Sequence, residues 1–444
     1  MKHLLVIANL NHAYPRIPAL ITPLLQKNWR VTVITPSLGE SPEKSLGLPK
    51  IFLAKAEIVV TPFRGDVFWP LRKILNILGF SSNKSYKDQI KVSLGGTKRN
   101  IVIDKLFIFY QCFFSIPDTE WPWGSIAVKK AREMLVRHNF DVIISSSPYP
   151  TVHRVAAKLK KETGLPWLAD FRDPWSQNHN NQFPLIRRKI DSWLEKRTIL
   201  NADLITTVSD GFAKKLKKLH VQKIEVVRNG FQSISKISAG RFPKCFTLSY
   251  TGAIYENKQD PEKILVALRN LIDQGKVDPA NVKLNFYGRY YIWLQKLITT
   301  YRLSDVVEQK GHLARDIIQR IQRKSHLLLL FQWEDFSEEG ILPLKLYEYL
   351  DTGRPILATG GKELGEVSNI LKNTRAGFVA NSIPKVEKIL CATYDEYIFA
   401  GKPSYDGVRD EINKYSYDLS AEKLCKILNK LILDRKRKPR IYGK

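Results

Sequence analysis

Residues 335–358, DFSEEGILPLKLYEYLDTGRPILA, hold the side chains most suited to chemistry. A Gly340–Pro343 turn precedes a short amphipathic segment carrying Lys345 and Glu348; Gly353 and Pro355 then punctuate the chain before the apolar run Pro355 to Ala358. An ionised carboxylate has two acceptor oxygens for polyol hydroxyls. A turn opening a helix that leads to a buried parallel strand is where α/β proteins hold polyols and diphosphates. A second group lies in LADFRDPWSQN (168–178), where Asp170, Arg172, Asp173 and Trp175 crowd a strand end. Such a carboxylate–guanidinium–carboxylate cluster is expensive to bury without a task. Asp170 or Asp173 can accept a hydroxyl proton or orient Arg172; the plainer reading is an ion pair pinning its loop. SSSPYP (145–150), opening a helix from Thr151, is a polar turn whose backbone can meet an anion or a sugar.

These groups need strands that end beside one another. Apolar, β-branched runs predict strands at Leu4–Ala8, Val31–Thr35, Asp141–Ser146, Pro166–Asp170 and Asp203–Val208. In the second half they predict Phe246–Thr251, Val282–Tyr287, His326–Phe331 and Pro355–Ala358. Helical periodicity falls between them, at Thr151–Glu162, Leu185–Leu200, Pro261–Ile272 and Leu313–Gln322. Strand–helix alternation implies parallel sheets covered on both faces. The expected architecture is α/β, with two Rossmann-like, doubly wound domains facing across a cleft. The boundary is placed in Gly230–Lys236, before Gly240 and Pro243, giving domains 1–232 and 233–415. Residues 416–444 would form a returning helix, about Leu419–Leu433, and a basic tail.

At 444 residues the chain exceeds one ordinary core. Its 44% hydrophobic and 26% charged content is that of a folded protein. The net charge of +28 is the outlier and calls for an anionic partner. Cys112, Cys245, Cys391 and Cys425 lie too far apart in sequence for a CxxC pattern, and read as buried cytosolic thiols. The apolar run after His3 reads as a first strand rather than a signal peptide. Leu106–Phe114 is about half the ~20 residues that a spanning helix needs. Residues 61–125 break the alternation, mixing Trp69, Leu71, Ile74 and Phe80 with Arg72 and Lys73. That mixture suits an insertion lying on an anionic membrane surface, or a helix packed on its own domain.

With these pieces placed, the chain resembles the retaining glycosyltransferases of GT-B architecture, and more narrowly the family 4 enzymes of bacterial cell-surface polysaccharide synthesis. Four segments in order carry the resemblance: ADLITTVSDGF (202–212), VVRNGF (226–231), SYTGAIYENK (249–258) and Glu348 to Pro355. It implies a nucleotide-sugar donor as co-substrate, no cofactor, and a hydroxyl of a glycan or lipid-linked glycan as acceptor. The cysteine usage and the N-terminal strand lead to the expectation of a cytoplasmic enzyme, with the basic, aromatic insertion holding it peripherally on the inner membrane face. Relatives usually place an Arg just after the Gly matching Gly252, and a Lys six residues after that Gly. Here Lys258 is present but the Arg position is Ala253. Arg289 of FYGR and Lys345 are candidates for the missing diphosphate cation, and Arg16 for a cation in the glycine-free loop 8–20; Lys258, Arg289 and Lys345 are each otherwise a solvated surface charge. The resemblance assigns Glu348 to the donor ribose and Glu339, with Gly340, to the sugar, although the family's second Glu sits one residue later. Gly311 and His312 match a loop whose backbone touches the base. No Asp-x-Asp motif stands in the expected place, so cations replacing a metal are expected.

Two other classes compete. The Ala253 departure allows a catalytically silent homologue acting as a partner subunit. The charge allows a nucleic-acid-binding protein, but no helix-turn-helix, RNP or zinc pattern accompanies it.

Overall fold

The computed structural model describes residues 1–13, 15–38, 48–63, 67, 112–179, 183–232, 242–335 and 338–437. Most of the insertion expected at 61–125, with Trp69 and Phe80, lies outside them, as do residues 233–241 and the tail from 438.

The chain divides into two compact units: Met1–Val208 with Phe212–Val227 and Ala421–Lys444, and Ser209–Gly211 with Arg228–Ser420. The first is built on β1 (His3–Ala8), β2 (Arg30–Pro36), β3 (Glu57–Thr61), β4 (Val142–Ser146), β5 (Trp167–Phe171), β6 (Leu204–Thr207) and β7 (Ile224–Val226). Their order is 3-2-1-4-5-6-7 and every pairing is parallel. The second holds β8 (Phe246–Thr251), β9 (Val282–Tyr287), β10 (Val307–Gly311), β11 (Leu327–Phe331), β12 (Ile356–Thr359) and β13 (Gly377–Val379). These run 10-9-8-11-12-13, again all parallel. Each sheet therefore reverses its winding once, between β1 and β4 and between β8 and β11. Outside the carboxyl ends of the strands at such a point, helices diverge and leave room for a ligand.

Central strands are buried on both faces, which is why β1 (HLLVIA) and β11 (LLLLF) read as unbroken apolar runs. Helix Glu262–Asp273 sets Ile264, Leu265, Leu268 and Leu271 on one buried stripe. The first core gathers Leu5, Ile7, Ile143 and Trp167; the second gathers Leu248, Leu284, Leu327 and Leu329. All nine strands expected from the sequence are present, within one residue at each end. β3, β7, β10 and β13 were not expected. All four are edges, and their residues (EIVVT, IEV, VEQKG, GFV) are only partly covered, so none carries an apolar run as long as those of the central strands.

The division falls after Val227 rather than after residue 232. The Phe231 N–H donates to the Tyr415 carbonyl at 3.1 Å, and the Tyr417 N–H donates to the Phe231 carbonyl at 2.9 Å, stitching 228–232 into the second unit. The final helix spans Tyr417–Arg437, and from Ala421 onward it belongs to the first unit. There it buries Leu424, Leu428, Leu431 and Ile432. Among the described residues no helix is long and apolar enough to cross a membrane.

Candidate active site

The second unit's winding reversal gathers much of what the sequence singled out. Gly252 follows β8 with φ +110°, and Gly288 follows β9 with φ +146°. Only glycine suits either place: a methyl on Gly288 would stand 2.5 Å from the Gly252 carbonyl oxygen. The Gly288 N–H in turn donates to the Gly311 carbonyl at 2.9 Å. The ends of β8, β9 and β10 are thereby tied into one rim, with exposed Arg289 and His312 following Gly288 and Gly311.

Helix Leu344–Leu350 brings two more side chains to this rim. The Lys345 ammonium bonds the Tyr250 hydroxyl and lies 3.8 Å from that ring's centre. A methyl on Gly252 would meet Lys345 Nζ at 3.2 Å, so the cation stands directly over the β8 turn. Burial pushes its pKa down to about 7, against the opposing pull of Glu348. One turn on, Glu348 accepts from Arg315 Nη2 at 3.1 Å. Arg315 was not expected from the sequence; it opens the helix after β10, and nothing in its neighbours marks it.

Other expected residues stand apart from that group. The Lys258 ammonium sits 4.8 Å from the centre of the Trp333 ring, just past β11. Among the described residues no contact joins it to Glu348. Glu339 pairs with Lys362, beyond β12. Gly340 has φ +93°, and its backbone passes so close to Gly211 that a methyl there would meet Gly340 N at 2.5 Å.

In the first unit the structure corrects two expectations. Asp170 does not orient Arg172, and Arg16 is not a rim cation. Arg16 grips Asp170 with Nε at 3.0 Å and Nη2 at 2.7 Å, and both side chains are at most 5% exposed. Ser146 and Thr206 donate to the same carboxylate at 2.7 and 2.8 Å. Burial opposes ionisation, yet Arg16 and these donors hold the carboxyl below its usual range. A carboxylate with four donors pins strands; it is not a poised base. The physical reason is register: β4, β5 and β6 run side by side, so Ser146, Asp170 and Thr206 line up across them.

Arg172 instead bonds the carbonyl of His12, and its own N–H donates to Ser147 Oγ at 2.9 Å. His12 meets the Tyr149 ring edge-on at 5.0 Å. Burial, and after it the Arg172 guanidinium, lowers the imidazole's pKa, so it is neutral at pH 7. Half-buried Asp173 follows on the same turn. The usable groups at this edge are therefore His12, Arg172 and Asp173, with the 145–150 turn beside them.

Comparison with known proteins bears on the fold. Residues 103–232 match the sequence model of Glycosyltransferase Family 4. No curated protein matches the chain by sequence. Among solved structures, sucrose-phosphate synthase from Thermosynechococcus elongatus is similar with TM-score 0.59 and 12% identity, over 98% of this chain and all of that one. Anabaena HepE in complex with UDP and glucose gives 0.61 and 12%, over 97% and 100%. The lipopolysaccharide outer core galactosyltransferase WaaB gives 0.54 and 12%, over 98% and 100%. Two parallel sheets with this strand order are the GT-B fold. The chain has the GT-B fold, and its residues 103–232 carry the Glycosyltransferase Family 4 match.

Proposed function

We propose that the second unit binds a nucleotide-sugar donor, and that its hexose is transferred to a hydroxyl of a glycan or lipid-linked glycan in cell-surface polysaccharide synthesis. Retention at the anomeric carbon and independence of metal belong to the same reading. The observation that carries it is the Lys345 ammonium poised over the Gly252 turn, one helical turn from Glu348. Relatives place an Arg at position 253; here Lys345 supplies a cation beside that position from a different element. In transfer the bond between the anomeric carbon and the phosphate oxygen breaks, and the acceptor oxygen takes its place. The leaving diphosphate gains charge, and a cation fixed beforehand stabilises it without reorganising. Arg289 adds a second cation at the rim. Glu348, steadied by Arg315, accepts from the ribose hydroxyls. The acceptor's proton passes to the departing phosphate. Support for the donor class comes from HepE, solved with UDP and glucose. Support for the glycan acceptor comes from WaaB, a lipopolysaccharide outer core galactosyltransferase.

A thermal-shift screen against UDP, GDP, ADP and dTDP sugars tests the reading, since a ligand at about 100 times its Kd adds ~2.7 kcal/mol of stability. One donor should raise the melting temperature, and Lys345→Ala and Glu348→Ala should each abolish both that rise and transfer. Binding without transfer to any glycan would favour the silent partner subunit. DNA retention surviving moderate salt, with no donor bound, would favour the nucleic-acid reading.

A further inference from the structure

Helix Leu185–Ile199 is built inside out. Its buried residues are Arg187, Asp191, Glu195 and Ile199, spaced four apart along one stripe. The opposite face shows Ile186, Ile190 and Trp193 to solvent, with Ile186 76% and Trp193 55% exposed. A surface helix on a soluble domain normally does the reverse. Most of the inward polar atoms are paired, although Asp191 Oδ1 has no hydrogen bond among the described residues. Arg187 pairs with Asp191 at 2.9 Å, and Glu195 accepts from the Ser176 N–H at 2.9 Å and bonds His220 at 3.0 Å.

The charges sort the same way. Both carboxylates of this helix face inward, whereas Arg188, Lys189, Lys196 and Arg197 are exposed. The Arg197 guanidinium lies 5.3 Å from the centre of the Trp193 ring. More apolar surface is held beside the helix, because Arg187 donates to the carbonyls of Cys112, Ser115 and Pro117 at 2.6 to 3.1 Å. That segment exposes Phe113 (62%) and Phe114 (55%).

We propose that this face lies on an anionic lipid bilayer. Exposed aromatic and aliphatic side chains ringed by cations, with no outward acid on the helix, match acyl chains beneath negative headgroups. A Trp beside an Arg suits the level where chains give way to headgroups. A second copy of the same face would set cation against cation. The proposal concerns a different element from the insertion read from sequence, and it does not rest on the sugar-transfer chemistry.

The test is co-sedimentation of the whole protein with phosphatidylglycerol–phosphatidylcholine vesicles and with phosphatidylcholine alone. The protein should pellet with the first and remain largely free with the second. Ile186→Ser with Trp193→Ser should weaken binding roughly tenfold or more. Lys189→Gln with Arg197→Gln should weaken it roughly fivefold per cation and blunt its salt dependence. All these side chains are exposed, so melting temperature and UDP binding should match the unaltered protein. If the unaltered protein ignores both vesicles, or the apolar double variant binds them equally well, the proposal fails. Self-association abolished by the same substitutions, without vesicle binding, also overturns it and assigns the face to a second copy.

Discussion

Lys345 is the residue whose behaviour is most sharply set by its surroundings. Its protonated form is the one that attracts a diphosphate, and burial has brought its pKa to about 7. A bound polyanion raises that value, so binding takes up a proton. Donor affinity should be full below about pH 7 and fall as pH rises, by at most tenfold per unit. Calorimetric titration of the nucleotide from about pH 6 to about pH 9 checks this. Lys345→Arg stays charged throughout and should flatten the profile. The Arg16–Asp170 pair makes the opposite kind of prediction. Removing one partner of a buried ion pair costs about 3–5 kcal/mol, so Asp170→Asn or Arg16→Met should lower urea stability before touching chemistry. A variant as stable as the parent, yet inactive, would restore Asp170 as a catalytic group. Sequence marked Asp170, Arg172 and Asp173 as a cluster correctly placed at a strand end. It did not show which partners they choose, because Arg16 lies 154 positions from Asp170.

At the scale of elements, the central strands were legible because burial on both faces demands unbroken apolar runs. The edge strands were not, since half-covered positions take any residue. Helix Leu185–Ile199 was expected at nearly its observed length, but its orientation was hidden. Periodicity locates an apolar stripe without saying which way it points, and here it points outward. The glycine turns join elements rather than residues. Gly288→Ala adds a methyl against the Gly252 carbonyl at a positive φ and should cost about 1–3 kcal/mol. Nucleotide affinity should fall with it, because the rim is shared. Gly275→Ala, with φ +68° and nothing within 4 Å, is the control: stability falls less in thermal melts and affinity is unchanged.

On the scale of the whole molecule, the two units are not assembled alike. Almost all of the second is one continuous stretch, Arg228–Ser420, whereas the first takes residues from both ends of the chain. Leu424, Leu428, Leu431 and Ile432 are packed into it by the last helix. At about 1.5–3 kcal/mol for each buried aliphatic side chain, a chain ending at Ser420 should lose several kcal/mol from the first unit alone. Calorimetry should show one transition falling sharply while the other holds. On the ribosome, the half begun earliest is consequently finished last. Its nascent sheet waits through the translation of nearly two hundred further codons, long enough to make this the stage at which chaperones would be needed.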